Sequence, residues 1–257
     1  MRRRSWPLLA LWLLAAPGWG GEGESFDHAV WDRLLKANVS EAGWVDYAAF
    51  RGRDAADLQR YLDALAAADP SRLGDRNAER AFWINAYNAV CIRTLLDEGL
   101  PDEVPHARFF GKNVFKIERY AVAGKVRSLD EIEHEILRKK LADPRLHAAV
   151  VCGASSCPRL RPEAFVGARL EAQLDEECRS WLQREVTKKS ERKNYLDEAA
   201  KVLHVSKIFS WYASDFGGEA GVLAFFKKFA DDRTRKFIEA NRVKIDYLSY
   251  DWSSNRK

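Results

Sequence analysis

Apolar side chains recur at roughly every third or fourth position along most of the chain, which is the spacing of one face of an α-helix. Proline, glycine and polar cap residues interrupt this pattern and mark where the helices end. The predicted helices are residues 25–36, 55–68, 79–98, 129–141, 163–185, 207–212, 220–229 and 233–241. The segment 79–98 is apolar on nearly all sides, so we expect it to be a central helix.

Shorter runs of β-branched and aromatic residues predict strands. The predicted strands are residues 114–117, 120–122, 146–152, 195–197, 202–205 and 243–248. The first two form a hairpin, for which Gly124 supplies a turn residue, and the fourth and fifth form another. Because helices predominate and strands come as hairpins, the pattern predicts an α+β fold. We expect a single domain in which the long central helix packs on a small, mostly antiparallel sheet, with peripheral helices around it.

The N-terminal residues have the composition of a secretory signal peptide. Three arginines at positions 2–4 precede an apolar run at 6–16, and small residues follow the run. This run is shorter than the ~20 residues that a membrane-spanning helix needs. We therefore expect a signal peptide at 1–20, a single globular domain at 24–257, and a periplasmic or secreted mature chain without a membrane span.

Composition excludes several classes of protein. The 257 residues are 47% hydrophobic and 31% charged, which excludes a disordered chain, a collagen-like chain and a coiled coil. Four cysteines are too few for a disulfide-built scaffold, and we expect no special role for Cys91 and Cys178, which lie in helical patterns. The formal charge of +4 comes largely from the N-terminal arginines, so we expect no nucleic-acid partner.

Residues 147–158 are the stretch most suggestive of chemistry. A predicted buried strand runs into a loop of small residues that holds two thiols, Cys152 and Cys157, and two hydroxyls, Ser155 and Ser156. A thiol at a strand end, near backbone amides and a histidine, is a candidate nucleophile. Three other interpretations stay open: the two cysteines form a structural disulfide, they pack in the core, or they bind a metal ion.

The candidate general base is His134, which lies beside Glu133 on a predicted helix. A flanking carboxylate can orient an imidazole and raise its pKa. His147 stands five residues before Cys152, and an odd separation on one strand places two side chains on opposite faces. We therefore expect His134 to act as the general base for Cys152, with Glu133 orienting the His134 ring. We expect His147 to contribute to binding. The competing interpretation of His134 is a surface residue in a charged run.

Two asparagines and an arginine complete the candidate binding residues. Asn85 and Asn88 are three positions apart and share a face of the predicted central helix. A buried amide without partners costs ~1–3 kcal/mol, so these side chains either bond to backbone or line a polar cleft beside Cys152. Arg159 follows the two cysteines and is suited either to hold an anionic substrate or to pair with a core carboxylate.

Five blocks of the sequence, taken in order, resemble domain-of-unknown-function family 547. These blocks are residues 82–88, 128–134, 147–158, 206–216 and 250–255. The resemblance runs from about residue 45 to the C-terminus, and it implies an exported bacterial protein without assigning an activity. The central helix is also weakly similar to the nucleophile helix of transglutaminase-like and papain-like cysteine enzymes, although Asn85 stands where those enzymes have their nucleophile.

Two functions fit these residues. The first is a thiol-dependent acyl-transfer or hydrolytic enzyme acting on a peptide-like or small-molecule ligand, with Cys152 as nucleophile and the amides around 153–156 as an oxyanion pocket. The second is a non-catalytic binding or scaffold module with a structural Cys152–Cys157 disulfide. Thiol–disulfide exchange ranks last, because the spacing of the cysteines is unusual for it. No motif in the sequence predicts a metal site or a cofactor.

Overall fold

The computed structural model describes residues 26–104, 108–109, 112–183 and 194–257, so the predicted signal peptide at 1–20 lies outside the described residues. The α-helices are α1 (Ala29–Asn38), α2 (Tyr47–Arg51), α3 (Ala55–Ala67), α4 (Arg76–Asp97), α5 (Leu129–Glu131), α6 (Leu170–Gln183), α7 (Ile208–Trp211), α8 (Ala213–Phe216), α9 (Gly218–Phe229) and α10 (Asp232–Ala240). Short 3-10 helices occur at Pro70–Arg72, Val114–Lys116, Pro144–Ala148 and Gly167–Arg169, and a π-helix spans Ile132–Lys140.

The strands pair into small sheets. They are β1 (Arg108–Phe109), β2 (Lys112–Asn113), β3 (Tyr120–Val122), β4 (Lys125–Arg127), β5 (Tyr195–Asp197), β6 (Val202–Val205) and β7 (Lys244–Tyr247). β1 pairs with β2, and β3 with β4, as antiparallel hairpins. In the third sheet, β6 lies between β5, which is antiparallel to it, and β7, which is parallel to it. These helices and small sheets confirm the predicted α+β class.

Helix α4 is the centre of the larger of two apolar clusters. Asp75 caps it, because its side chain accepts a hydrogen bond from the backbone N–H of Ala78 at 2.8 Å. Almost every residue between Ala81 and Leu95 is buried, so the helix has no broad solvent-facing side over this stretch. It packs chiefly against helical elements, namely the 3-10 helix Gly167–Arg169, the π-helix, α3 and α6. The long central helix is therefore confirmed, with helices as its main neighbours.

The three-stranded sheet belongs to the second apolar cluster. Leu203 and Val205 of β6 pack there with Trp181 of α6 and Phe209 of α7, and the rings of Trp181 and Phe209 stack with centroids 4.5 Å apart. Residues 250–257, which we call the C-terminal segment, follow this sheet. Tyr250 of this segment contacts both clusters, so the segment joins them. The candidate site lies at this junction.

Elements with strong local signals match their predictions closely. The predicted helix 55–68 is α3, and the predicted hairpin at 195–197 and 202–205 is β5–β6. Ser128 caps α5, because its hydroxyl oxygen accepts a hydrogen bond from the Glu131 N–H at 3.0 Å. The helix that follows this cap continues as the π-helix, a rare geometry that is frequent at functional sites.

The predicted buried strand at 146–152 is wrong. A 3-10 helix, Pro144–Ala148, occupies its first half, because the Asp143 side chain accepts a hydrogen bond from the Arg145 N–H at 2.9 Å and proline favours a helix start. The backbone of the second half pairs with a side chain of α4 instead of with another strand. A run of apolar residues alone could not reveal this pairing, because the partner lies about sixty residues away.

Two other boundaries differ from the predictions. Residues 114–117 form the 3-10 helix Val114–Lys116, capped by Asn113, and the hairpin is instead β3–β4. The helix predicted from residue 163 begins at Leu170, because the backbone before it is held by side chains. The N–H of Val166, for example, donates to the Gln173 side chain at 2.9 Å.

Candidate functional site

The two cysteines of residues 152–158, which we call the thiol loop, face each other. Cys152 Sγ lies 2.6 Å from Cys157 Sγ, and the structure holds both as thiols. Hydroxyl oxygens, which are smaller than sulfur, approach one another to ~2.7–2.8 Å in hydrogen bonds. The sulfur atoms are therefore closer than two relaxed thiols, and only about 0.6 Å farther apart than in a disulfide bond of ~2.05 Å. The pair is positioned for bond formation.

The two thiols differ in exposure and in their hydrogen-bond donors. Cys152 is half-buried, whereas Cys157 is buried with 4% of its surface exposed. The backbone N–H of Cys152 donates to Cys157 Sγ at 3.3 Å. The Tyr250 hydroxyl lies 3.2 Å from Cys157 Sγ and 3.8 Å from Cys152 Sγ. Two donors are thus within reach of the inner sulfur.

The surroundings disfavour a thiolate at Cys152. The hydrogen bond with Cys157, burial, and the charge that Cys157 would carry raise the pKa of Cys152 well above its usual value. Burial and the charges of the same two sulfurs also raise the pKa of Tyr250. A reactive thiolate needs a neighbouring cation or a helix N-terminus to lower the thiol pKa. The reduced Cys152 is therefore a protonated thiol near neutral pH.

Gly153 allows the thiol loop to pass close to α4. Its φ is +89°, and a Cβ atom placed on it would lie 2.5 Å from Leu95 Cδ1 and 3.2 Å from the Tyr47 hydroxyl oxygen. A larger residue would have to displace these atoms in a backbone conformation that L-residues rarely adopt. The Gly153 carbonyl accepts a hydrogen bond from the Asn255 N–H at 2.8 Å. The loop is thereby fixed between α4 and the C-terminal segment.

The C-terminal segment also occupies two backbone donors of the thiol loop. The Ser155 N–H donates to the Ser253 carbonyl at 2.6 Å, and the Ser156 N–H donates to the Asp251 carbonyl at 3.1 Å. The serine hydroxyls bond to the same segment, since Ser155 Oγ lies 3.0 Å from Ser253 Oγ and Ser156 Oγ accepts from the Asp251 N–H at 2.9 Å. An oxyanion pocket needs N–H groups aimed at the ligand. The amides of Ser155 and Ser156 do not meet this need, and that part of the prediction is wrong.

His134 contacts an arginine and a carboxylate. Nη1 of Arg138 donates to His134 Nδ1 at 2.7 Å, and His134 Nε2 lies 3.6 Å from Asp130 Oδ1. The arginine is therefore the hydrogen-bond donor, and Nδ1 of the ring is the acceptor. Among the described residues, the hydrogen bonds of His134 do not include Cys152. Its role as a general base stays a prediction.

Glu133 lies between two tyrosines of the site. Its carboxylate accepts hydrogen bonds from the Tyr87 hydroxyl at 2.9 Å and from the Tyr212 hydroxyl at 2.6 Å. Burial and the Glu133 charge raise the pKa of Tyr212, and a charge on Cys152 would raise it further. Tyr212 thus lies within electrostatic reach of both groups. The carboxylate holds tyrosine hydroxyls, whereas the sequence predicts that it orients His134.

His147 belongs to an ion-pair cluster next to these tyrosines. His147 Nε2 lies 2.8 Å from Asp215 Oδ2, and Arg138 donates to both oxygens of Asp215 at 2.6 and 2.9 Å. These contacts, with His147 as the main cause, hold the pKa of Asp215 well below its usual range. The His147 ring stacks on Tyr212 with centroids 4.3 Å apart. Because His147 lies on a 3-10 helix, the argument about opposite strand faces does not apply to it.

The two asparagines of α4 bind backbone, which is one of the two predicted alternatives. The Asn85 amide donates to the Phe165 carbonyl at 2.7 Å and accepts from the Phe165 N–H at 3.0 Å. Asn88 donates to the Ala149 carbonyl and accepts from the Val151 N–H, both at 2.9 Å. Both side chains are buried. Asn88 therefore fixes the segment that leads into the thiol loop.

Arg159 pairs with a core carboxylate, which is also one of two predicted alternatives. Its guanidinium donates to both carboxylate oxygens of Glu177 at 3.0 and 2.8 Å, and Glu177 is only 1% exposed. Arg161 donates to the same carboxylate at 2.7 Å. Two arginines thus compensate the buried charge, as a buried carboxylate requires. This network anchors the exit of the thiol loop.

Three aromatic residues form a surface next to the thiol pair. Trp211 and Trp252 are 46% and 36% exposed, and their rings stack with centroids 5.6 Å apart. Tyr250 packs against both, with centroid distances of 4.8 and 4.5 Å. We call these three residues the aromatic ledge. Because the Tyr250 hydroxyl contacts both sulfurs, the ledge leads directly to Cys152.

Sequence reasoning did not assign a site role to the ledge residues, to Tyr212 or to Asp215. A signal was present, since large aromatic residues cluster at 209–212 and 250–252 in short segments without a long amphipathic pattern. Exposed aromatic groups of this kind mark binding surfaces more often than cores. The distance along the chain between these segments and the cysteines concealed their proximity.

The fold and the site together define an α+β protein whose paired-cysteine loop is closed by its C-terminal segment. Residues 70–182 match the model of the family described as "Protein of unknown function, DUF547". This match confirms the resemblance that the sequence blocks indicate. Comparisons with curated proteins and with solved structures found no match. The likeness to transglutaminase-like and papain-like enzymes stays a prediction.

The described residues bear on metal ligation and on membrane insertion. Among the described residues, no group of three or more His, Cys, Asp and Glu side chains is placed to hold a metal ion. The metal-binding interpretation of the cysteine pair therefore has no ligand cluster in that part of the chain. In the described ranges, no helix combines the length and the apolarity needed to cross a membrane.

Proposed function

We propose that the protein is an exported, non-catalytic binding module in which Cys152 and Cys157 form a disulfide that fixes the thiol loop. The observation that carries this proposal is the 2.6 Å separation of the two sulfurs in a loop that is already held on both sides. This separation is only about 0.6 Å longer than the S–S bond of ~2.05 Å. Export, which the N-terminal sequence predicts, would supply an oxidising compartment.

The polar groups around the loop support a structural role. Asn88, Ser155, Ser156 and Arg159 each bond to another part of the chain. In a catalytic site, several such groups point at the place where the substrate reacts. Here they hold the loop, and the raised pKa of Cys152 opposes a resting nucleophile.

The aromatic ledge is the binding surface in this proposal. Trp211 and Trp252 offer rigid apolar area at little cost in side-chain entropy, which is why such residues are common anchors in interfaces. Their mutual stacking fills the space between the rings, so the ledge suits a flat contact better than an enclosed one. The ligand is a peptide-like or small molecule that carries an apolar or aromatic group.

Counting thiols in the purified, exported protein tests the bridge. After denaturation without reductant, we expect two of the four cysteines to react with a thiol reagent, and all four after reduction. Peptide mapping should place the bond between Cys152 and Cys157. The Cys152→Ser variant is the control, and its count should not change on reduction. Four reactive thiols in the untreated wild-type protein would contradict the proposal.

An immobilised tetrapeptide library tests the ledge. We expect the wild-type chain to retain peptides with aromatic residues, and the Trp211→Ala and Trp252→Ala variants to lose most of this signal. Val126, which is 47% exposed on β4, provides the matched control, because Val126→Ala removes exposed apolar surface outside the ledge. An equal loss in the control, or no loss in the tryptophan variants, would exclude the ledge as the binding surface.

A thiol-dependent enzyme is the second candidate, and one observation favours it. Cys152 Sγ lies 3.8 Å from the Tyr250 hydroxyl, so a group that can transfer a proton is near the half-buried thiol. Hydrolysis of p-nitrophenyl acetate by the reduced protein tests this candidate. Turnover that is lost in Cys152→Ser and kept in Cys157→Ser would establish the enzyme. Equal background rates in all three proteins would exclude a thiol nucleophile for this ester.

A further inference from the structure

We infer that the Cys152–Cys157 bridge is an exchange site, which an external thiol opens from the Cys152 side to leave a mixed disulfide on Cys152. The inference rests on the proposed function, because it requires the bridge. It goes beyond a structural disulfide, since it assigns the bond a reaction, a direction and a class of co-reactant. That class is a thiol next to an apolar or aromatic group.

The direction of attack follows from the unequal exposure of the two cysteines. A thiolate must reach the sulfur that it attacks, so access decides between the two ends of a disulfide. Cys152 is half-buried, whereas Cys157 is buried with 4% of its surface exposed. Exchange therefore takes place at Cys152, and Cys157 is the sulfur that leaves.

The leaving sulfur has donors in place to receive the negative charge. The Cys152 N–H is 3.3 Å and the Tyr250 hydroxyl 3.2 Å from Cys157 Sγ. Hydrogen bonds to a thiolate stabilise it and make it a better leaving group. Tyr250 is therefore a positioning residue in this exchange, because its hydroxyl acts on Cys157 and not on the incoming thiol.

The exchange balances in atoms and electrons. The incoming thiolate forms a bond to Cys152 Sγ while the bond between Cys152 and Cys157 breaks, and the electron pair leaves with Cys157, which takes up a proton from water. A second external thiol then attacks the mixed disulfide and releases Cys152. The two external thiols end as one disulfide, and the protein ends with two reduced cysteines.

The aromatic ledge determines which thiols react fastest. Tyr250 connects the sulfurs to Trp211 and Trp252, so a thiol approaching Cys152 passes over exposed aromatic rings. A neighbouring aromatic group on the incoming molecule can stack there and raise its local concentration. Two peptides with similar thiols but different neighbours, N-acetyl-Phe-Cys-amide and N-acetyl-Ser-Cys-amide, isolate this contribution.

The experiment measures bridge opening in the oxidised, full-length protein with each peptide, using acid quenching and mass spectrometry to locate the adduct. We expect the first adduct on Cys152, formed several times faster with the phenylalanine peptide than with the serine peptide. The preference should disappear in Trp211→Ala and Trp252→Ala. A first adduct on Cys157, or equal rates for the two peptides, would overturn the corresponding part of the inference.

Variants that lack one cysteine of the pair give an independent measurement of direction. With oxidised glutathione, Cys157→Ser should form a mixed disulfide on Cys152 at least about tenfold faster than Cys152→Ser does on Cys157. Circular dichroism tests whether both variants are folded. If either is unfolded, the position of the first adduct in the acid-quenched wild-type protein determines the direction of attack by itself. Equal rates in the two folded variants would contradict attack from the Cys152 side.

Tyr250→Phe tests the leaving-group argument. Loss of the hydroxyl should slow bridge opening on the order of tenfold, because a hydrogen bond to a charged sulfur is lost. The reaction of Cys157→Ser with oxidised glutathione should slow less on adding Tyr250→Phe, since the Tyr250 hydroxyl lies 3.2 Å from Cys157 Sγ but 3.8 Å from Cys152 Sγ. Tyr195→Phe, in β5, is the control for both reactions. A bridge that is present but never opens in the native protein would refute exchange while leaving the proposed module intact, whereas four reactive thiols would refute both.

Discussion

The four cysteines of this protein occupy two kinds of environment. Cys91 on α4 and Cys178 on α6 are buried within helices, with 1% and 0% of their surface exposed, and burial is the main cause that raises the pKa of both. Cys152 and Cys157 lie on an irregular loop and face each other at 2.6 Å. The contrast shows that the path of the backbone, and not the thiol itself, decides whether a cysteine packs as a small apolar group or pairs.

Replacing Gly153 should have the largest effect on stability, because this glycine allows the thiol loop to pass close to α4. Gly153→Ala places a Cβ 2.5 Å from Leu95 Cδ1 in a left-handed conformation, which we expect to destabilise the protein by about 3 kcal/mol. Gly124→Ala is the matched control, since Gly124 has φ +73° with no atom within 4 Å of the added Cβ, and it should cost about 1 kcal/mol. Urea unfolding measures both, and equal costs would show that the contact with Leu95 is easily relieved.

The second largest effect on stability should come from reduction, which acts on the paired cysteines and not on the two buried in helices. A disulfide that closes a loop this short restricts the unfolded chain by on the order of 2 kcal/mol, so adding a reductant should lower wild-type stability by about that amount. The Cys152→Ser/Cys157→Ser double variant should not respond to reductant. Cys91→Ala should lose stability equally in both redox states, because Cys91 only packs. A reductant effect in the double variant would place the bridge elsewhere.

Alkylation of the reduced protein should show the smallest difference between the two kinds of cysteine, and it reports on Cys152 itself. The raised pKa of Cys152 means that it stays protonated where an ordinary thiol already ionises, so its rate with iodoacetamide at pH 8 should be at least about tenfold below that of a model cysteine peptide. The rate should keep rising above pH 9. Cys152 should still react before Cys91 and Cys178 because it is more exposed. A rate that levels off below pH 8 would favour the thiol-enzyme candidate.

Local signals in the sequence were sufficient for much of the fold. The Ser128 cap, helix α3 and the β5–β6 hairpin depend on residues near each other in the chain, and the structure confirms them. The strand predicted at 146–152 failed for the opposite reason. The carbonyl of Ala149 accepts a hydrogen bond from a side chain of α4. The periodicity of residues 146–152 cannot indicate a partner so distant in the sequence.

The candidate site divides in the same way. The sequence identifies the two cysteines but leaves a disulfide, core packing, metal binding and catalysis open. The role of the cysteines depends on the distance between their sulfur atoms, which the spacing along the chain does not give. The binding of Asn85 and Asn88 to backbone was one of two alternatives, and only the contacts distinguish them. Tyr250 contacts Cys157 across 93 positions of sequence, so its role could not be read from the residues around either one.

Ser155 and Ser253 meet in the folded protein although 98 positions separate them. During synthesis, the thiol loop is therefore complete long before the residues that hold it have been made. Contacts of such long range form slowly, so docking of residues 250–257 belongs to the late steps of folding. A chain oxidised before that step can join the wrong cysteines, whereas the folded chain holds Cys152 Sγ against Cys157 Sγ.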